Sequence, residues 1–317
     1  MPTINQPESL FGINDCHKPK KNTKKNYAFN KPAAAKSTAA AAAATRKIFK
    51  LNKKPNINNF ILFPSSLGQT KIGAEKAPAF LANYIRRKQR KIKTVPDTGD
   101  LYKNLNQLYQ ANDSMTGKRI NVGGDHSMSI ATIAYTINHY PNAKVIYFDA
   151  HGDINTYKSS KSKHYHGMPL SFVTKLNRDK RFGFIKNKLD FADILYIGSR
   201  CWDRFEVNQV YKHNIKFLEP DDINKHFAES MRKIKEFVGD SPVHISFDVD
   251  SIDPKYIPST GTAVKNGVEL NNAIKILANV SKNIVNMDIT ELNMEVGSKQ
   301  DGKKSGMNTV KLFKAFL

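Results

Sequence analysis

Cysteine is nearly absent. Cys16 and Cys201 are the only two in 317 residues, which gives no disulfide framework and no zinc-site spacing. That scarcity fits a reducing compartment such as the cytoplasm. Long apolar runs are missing too. No stretch approaches the roughly 18 uninterrupted apolar residues of a transmembrane helix. The polar start, with a weak and late apolar segment, excludes a secretory signal. Acidic residues are few, 28 against 50 Lys and Arg, for a net charge of +22. Such a field attracts nucleic acid or acidic membrane. Yet no zinc finger, RNA-recognition signature or leucine zipper accompanies it, so no specific nucleic-acid partner is indicated. No internal repeat is visible.

What is present divides in two. Residues 1–58 hold 12 Lys and Arg against Glu8 and Asp15, with the alanine run Ala39–Ala44 and no hydrophobic periodicity. They read as a basic, Ala/Lys/Asn-rich extension, disordered by composition, with a short alanine helix at most. Lys18-Pro19-Lys20-Lys21 and Lys24-Lys25 are nuclear-signal-like, and an acid-poor leader leaves organellar targeting open. Residues 59–317 read as one α/β domain.

In that domain apolar runs alternate with helical patterns. Strands are expected at 60–63, 119–122, 145–148, 194–198, 215–218, 243–247 and 284–289. Helices are expected at 77–90, 128–139, 167–175, 207–211, 221–238, 270–281 and 308–316, with a weak one in 101–109. Alternation of this kind predicts a mainly parallel sheet covered on both faces, a three-layer α/β/α fold.

The strand Val145-Ile146-Tyr147-Phe148 runs into Asp149-Ala150-His151-Gly152-Asp153. If the backbone stays extended there, a period of two puts Asp149, His151 and Asp153 on one side. A turn is the competing reading, since Asp and Gly are ordinary turn residues. Other strand ends carry similar groups. Gly123-Gly124-Asp125-His126-Ser127 presents His126 at a strand-to-helix junction, Asp248 and Asp250 follow the strand 243–247, and Glu291 follows the strand 284–289. Ligands of open parallel sheets collect at these carboxyl ends. Two His and four Asp suit two divalent ions, and an oxygen-rich set with a little nitrogen favours Mn²⁺ over a thiolate zinc site. Such a pair of ions shares a water and lowers its pKa.

These motifs closely resemble the arginase branch of the ureohydrolases. GGDHS (123–127), DAHGDIN (149–155), HYHGMPLSF (164–172), SFDVDSIDP (246–254), STGT (259–262) and DITELN (288–293) stand in family order. The resemblance implies an arginase-like fold with two Mn²⁺ per subunit. One would be held by His126, Asp149, Asp153 and Asp248, the other by His151, Asp149, Asp248 and Asp250. It implies hydrolysis of L-arginine to L-ornithine and urea by a hydroxide bridging the two ions. Glu291 would orient the guanidinium, Asp153 would hydrogen-bond the tetrahedral intermediate and His166 would shuttle the proton. Asn155 and Ser162 match positions that recognise the α-carboxylate, Asp203 and Glu206 those near the α-amino group, and Thr262 a pocket position. His164 stands where arginases usually have Asn and is expected to bind substrate there, since histidine can still donate a hydrogen bond, and Asn293-Met294 replaces the usual Asn-Pro. Family members commonly form trimers or hexamers, so a homo-oligomer is expected. The alternatives are hydrolysis of agmatine or another guanidino compound, and a noncatalytic arginase-like binding protein that uses its basic leader.

Overall fold

The computed structural model describes residues 57, 59–86 and 90–314. The expectations for the leader fall almost wholly outside them.

Among the described residues eight strands form one sheet, every adjacent pair of which is parallel. In chain order they are β1 (Asn59–Phe63), β2 (Lys91–Thr94), β3 (Arg119–Gly123), β4 (Lys144–Phe148), β5 (Ile194–Ile197), β6 (Lys216–Leu218), β7 (Val243–Asp248) and β8 (Ile284–Thr290). The spatial order is β2-β1-β3-β8-β7-β4-β5-β6. β2 is the strand the sequence pattern misses. Lys91-Ile92-Lys93-Thr94 lies at the sheet edge with only Ile92 half-buried, so no apolar run marks it.

Alternate side chains of each strand enter opposite cores, because a strand's side chains alternate between faces. Phe60 and Leu62, Ile146 and Phe148, Leu195 and Ile197 point one way. Ile61 and Phe63, Val145 and Tyr147, Ile194 and Tyr196 point the other. The first face is covered by α1 (Ala77–Ile85), α6 (Pro220–Lys225), α7 (Phe227–Val238), α8 (Leu270–Val280) and α9 (Lys299–Lys314). The second is covered by α2 (Leu101–Asp113), α3 (Ser129–His139), α4 (Pro169–Val173) and α5 (Arg204–Lys212). The three-layer α/β/α expectation holds.

Element boundaries differ for local reasons. The helix expected to run to Arg90 stops at Ile85, where Arg86 is extended (φ −61°, ψ 110°) and Arg90 Nη1 donates to Ile85 O at 2.8 Å. The single helix expected at 221–238 is two, broken at His226 (φ −127°, ψ 45°). Ser230 Oγ donates to Asp222 O across the break at 2.7 Å. The last helix starts at Lys299, earlier than expected, because Gly302 and Gly306 disguise its first two turns. Both glycines have a packing reason. A Cβ at Gly302 would meet Met294 O at 2.5 Å, and one at Gly306 would meet Phe80 Cε1 at 2.6 Å.

Gly124 is similarly confined: a Cβ there would fall 2.0 Å from Ser65 O, a backbone atom that cannot rotate away. Gly124→Ala is therefore expected to destabilise the protein by about 1–3 kcal/mol, the range for forced overpacking. A thermal or denaturant melt checks this, and an unshifted midpoint would contradict the packing described.

Candidate metal centre and active site

The polar strand ends converge because β3, β8, β7, β4 and β5 are five successive neighbours in the sheet. Their carboxyl ends therefore line up along one edge of the central layer. His126 follows β3, Asp149 to Asp153 follow β4, the 199–206 segment follows β5, Asp248 closes β7 and Glu291 follows β8.

The extended continuation of β4 does not occur. The strand stops at Phe148, the His151 backbone N–H donates to Asp149 Oδ1 at 2.7 Å, and Asp153 takes a left-handed φ of 48°. This turn, rather than a period of two, gathers the three side chains. The same device recurs after β7, where Asp250 N donates to Asp248 Oδ1 at 2.7 Å.

Two groups of ligand-type atoms result, His126 with Asp149 and Asp248, and His151 with Asp149 and Asp250. His126 Nδ1 lies 3.0 Å from Asp149 Oδ2, 3.1 Å from Asp153 Oδ2 and 3.4 Å from Asp248 Oδ2. His151 Nδ1 lies 3.4 Å from Asp149 Oδ1 and 3.0 Å from Asp250 Oδ2. Asp149 thus turns one oxygen to each imidazole. Its Oδ2 is buried with no hydrogen-bond partner, a costly state for a carboxylate unless a cation sits beside it. Burial, then the charges of Asp153 and Asp250, push Asp149 up to about 6. Burial, then Asp250 and Asp149, also lift Asp248 well above the carboxylate range. Asp250 is also desolvated, but the His151 charge and hydrogen bond prevail and hold it low. Burial works against charge on His126 and His151, yet their carboxylate neighbours raise both well above the ordinary histidine value. The donor set fits divalent cations, which would relieve this repulsion.

Beside the metal-type groups, Glu291 has a left-handed φ of 64°. Its Oε1 accepts from the His126 backbone N–H at 2.8 Å and lies 3.2 Å from His166 Nδ1. Gln69 Nε2 donates to Glu291 Oε2 at 2.8 Å. Burial opposes charge on His166, but the Glu291 hydrogen bond and charge, with Asp153 and Asp125, outweigh it and raise the pKa above 6.5.

An open cavity of about 590 Å³ leads to this edge. Its walls include His151, Asp153, Asn155, Ser162, His166 and Thr262. Asp203 and Glu206 also line it, and they do more than the sequence suggested. They form a reciprocal capping box on α5: Asp203 Oδ1 accepts from Glu206 N, and Glu206 Oε2 accepts from Asp203 N, each at 3.0 Å. Asn155 Nδ2 donates to Asp203 Oδ2 at 2.5 Å. Ser162 Oγ accepts from His164 N at 3.3 Å. Thr262 Oγ1 donates to Asp250 Oδ2 at 3.2 Å. His164 is not part of the cavity wall; its ring faces that of His166 with centroids 5.7 Å apart.

Sequence reasoning overlooked three residues here. Tyr147 stacks on His126 (centroids 4.7 Å, 15° between planes) and its hydroxyl donates to Asp153 Oδ2 at 3.1 Å. Its only sequence signal is a hydroxyl inside an apolar run. Gln69 lies in a loop more than 200 residues from Glu291 in the chain. Arg200 fixes the Asp250 turn by donating to Asp250 O at 2.9 Å and Ser251 O at 3.3 Å, and also to the Gly198, Val264 and Lys265 carbonyls.

With known proteins the resemblance is extensive. The model of the arginase family matches residues 60–315. An arginase of Entamoeba histolytica is 30% identical over 277 residues, 77% of this chain and 93% of the relative. Arginase-1 of Mus musculus is 30% identical over 295 residues, 82% of this chain and 91% of the relative. A crystal structure of the Entamoeba histolytica arginase in complex with L-ornithine superposes with a TM-score of 0.76, at 27% identity, over 83% of this chain and 99% of that one. Parallel sheet, paired His–Asp groups and similarity over most of the domain agree, and the chain belongs to the arginase family.

Proposed function

We propose that this chain hydrolyses L-arginine to L-ornithine and urea at a binuclear manganese site. The observation that carries the proposal is Asp149, fully buried, with one oxygen toward His126 and the other toward His151. On this reading His126, Asp149, Asp153 and Asp248 hold one ion, and His151, Asp149, Asp248 and Asp250 the other. When bound, the two ions would lower the pKa of a shared water and so supply a nucleophile near neutral pH.

The chain's own residues do the rest. Glu291 offers Oε2 as an acceptor for guanidinium N–H groups, with Gln69 holding the carboxylate in place. Asp153, anchored by Tyr147, accepts a hydrogen bond from the reacting centre. His166 is charged over a wider pH range than an ordinary histidine and sits in the cavity wall, where it can donate a proton to the departing amine. Farther out, Ser162 and Asn155 face the α-carboxylate, and Asp203 and Glu206 face the α-amino group. The ring of His164 lies beside that of His166, with centroids 5.7 Å apart. Burial, then the His166 charge, lowers its pKa, and the ring can still donate a hydrogen bond to the substrate. We read the assembly as a homo-oligomer, which a sedimentation measurement tests.

Urea release by the Mn²⁺-reconstituted protein, with L-arginine and agmatine compared, is the direct experiment. Arginine-selective urea with equimolar ornithine is expected. Asp149→Ala should lower the rate by more than the ~10–100-fold typical of losing an outer partner of a metal ligand. Preference for agmatine would show that the carboxylate subsite is not used. No urea from either substrate would sink the proposal.

Glu206 adds a pH test. Burial, then the Asp203 charge, pushes its pKa up to about 8 from an ordinary 4.5. Between these values the folded state holds a proton that the unfolded chain has released. Stability of the substrate-free protein should therefore fall as pH rises from 4.5 to 8 and level off above. Glu206→Gln removes this dependence, so the unfolding midpoint of the variant should gain on wild type across that window. Parallel curves would contradict the assignment.

A further inference from the structure

Behind the metal-type groups runs a second, fully buried polar chain. His126 turns Nδ1 toward the carboxylates and Nε2 toward Ser246 Oγ, 2.8 Å away. Ser246 Oγ lies 2.8 Å from Ser129 Oγ, and Ser129 Oγ donates to Asp288 Oδ2 at 3.0 Å. Asp288 is thoroughly fixed. Its Oδ2 is also met by the Thr132 hydroxyl and, at 3.0 Å, by His244 Nε2, while Asn121 Nδ2 donates to its Oδ1 at 2.9 Å. Ser129, Ser246, His244, Asn121 and Asp288 are all 0% exposed.

Donor and acceptor rules give this chain a direction. A carboxylate only accepts, so Ser129 directs its one hydroxyl hydrogen to Asp288. Ser129 must then accept from Ser246. Ser246 has thereby used its own hydrogen and must accept from His126. In the neutral ring that a metal ligand requires, the one hydrogen on His126 is therefore held at Nε2, and the lone pair at Nδ1 faces Asp149, Asp153 and Asp248. That is the orientation a metal-ligating imidazole needs, and outer partners commonly set it.

We propose that Asp288 and Ser129 are positioning residues for the metal centre, acting through Ser246 to hold His126 in its ligating tautomer. The proposal rests on the metal reading above and extends it to residues that touch neither ion nor substrate. Asp288 comes from the middle of β8 and Ser129 from the first turn of α3, so the relay also ties the ligand to two rigid elements.

The test is Mn²⁺ binding by metal-stripped full-length protein, followed by calorimetric titration, with no turnover involved. Wild type is expected to take two ions. Ser129→Ala should weaken one of the two stepwise constants, the same one that His126→Ala weakens, by about 10–100-fold and spare the other. Ser129→Thr, which keeps the hydroxyl, should restore it. Asp288→Asn should act on the same constant, and the double variant should be no worse than the worse single one, because the residues act in series. Asp288 also anchors Asn121 and His244, so if that variant fails to fold, the Ser129 pair decides alone. Wild-type constants in Ser129→Ala, at an unchanged melting temperature, would overturn the relay and leave the metal reading standing. No Mn²⁺ bound by wild type would overturn both.

Discussion

Like charges crowded out of water are the constraint on which this structure turns. Asp149, Asp153, Asp248 and Asp250 meet at one edge of the sheet, where every one of them is buried. Burial and mutual repulsion both disfavour their ionised forms. Among the described residues no Lys or Arg forms an ion pair with any of the four, although the chain carries a net charge of +22. The nearby Arg200 gives its guanidinium hydrogens to backbone carbonyls instead. Its charge still helps to hold Asp250 low, but among the described residues only His126 and His151 stand within ion-pairing distance of these carboxylates, which leaves room for cations from outside. A core built this way is poor as a stabilising device and well suited to holding metal.

The backbone accepts strain to build it. Non-glycine residues with a left-handed φ are uncommon, and two of the six among the described residues are Asp153 and Glu291. Each is held by the fold around it. Asp153 O accepts from Leu170 N at 3.1 Å, and Glu291 N donates to Gly124 O at 2.7 Å. Strain of this kind persists only where the surroundings over-determine it, and it collects at functional sites. Gly124 shows the same economy of space, its backbone lying too near Ser65 to admit any side chain.

Much of this was legible in the sequence, for physical reasons. The central strand Val145–Phe148 is buried on both faces, so it reads as a continuous apolar run, and the acids that follow stand out against it, while Val243–Phe247, equally buried, interleaves His244 and Ser246 with its apolar residues. The edge strand at Lys91 lacks that contrast and was invisible. The glycines of the last helix hide its start, because their task is to let Met294 and Phe80 approach closely. Roles fulfilled by distant partners were the hardest to see. Gln69 matters through Glu291, Ser129 through Asp288, and Asp203 with Glu206 through a helix cap whose sequence signature also fits a ligand pocket. His164, selected by its place in a motif, lies outside the cavity wall.

The position of β8 has a consequence for how the molecule comes into being. It lies between β3 and β7, pairing with both, although some 160 residues separate it from β3 in the chain. Until β8 is synthesised, β3 has an open edge on that side and the two halves of the sheet have no shared hydrogen bonds. The residues of one candidate metal group lie in different halves, His126 beyond β3 and Asp149 and Asp248 beyond β4 and β7. Such late, long-range closure is slow and exposes unpaired edges meanwhile. A growing chain therefore cannot bring His126 and the carboxylates of β4 and β7 together before its last strand is in place, so the site is assembled only at the end of folding.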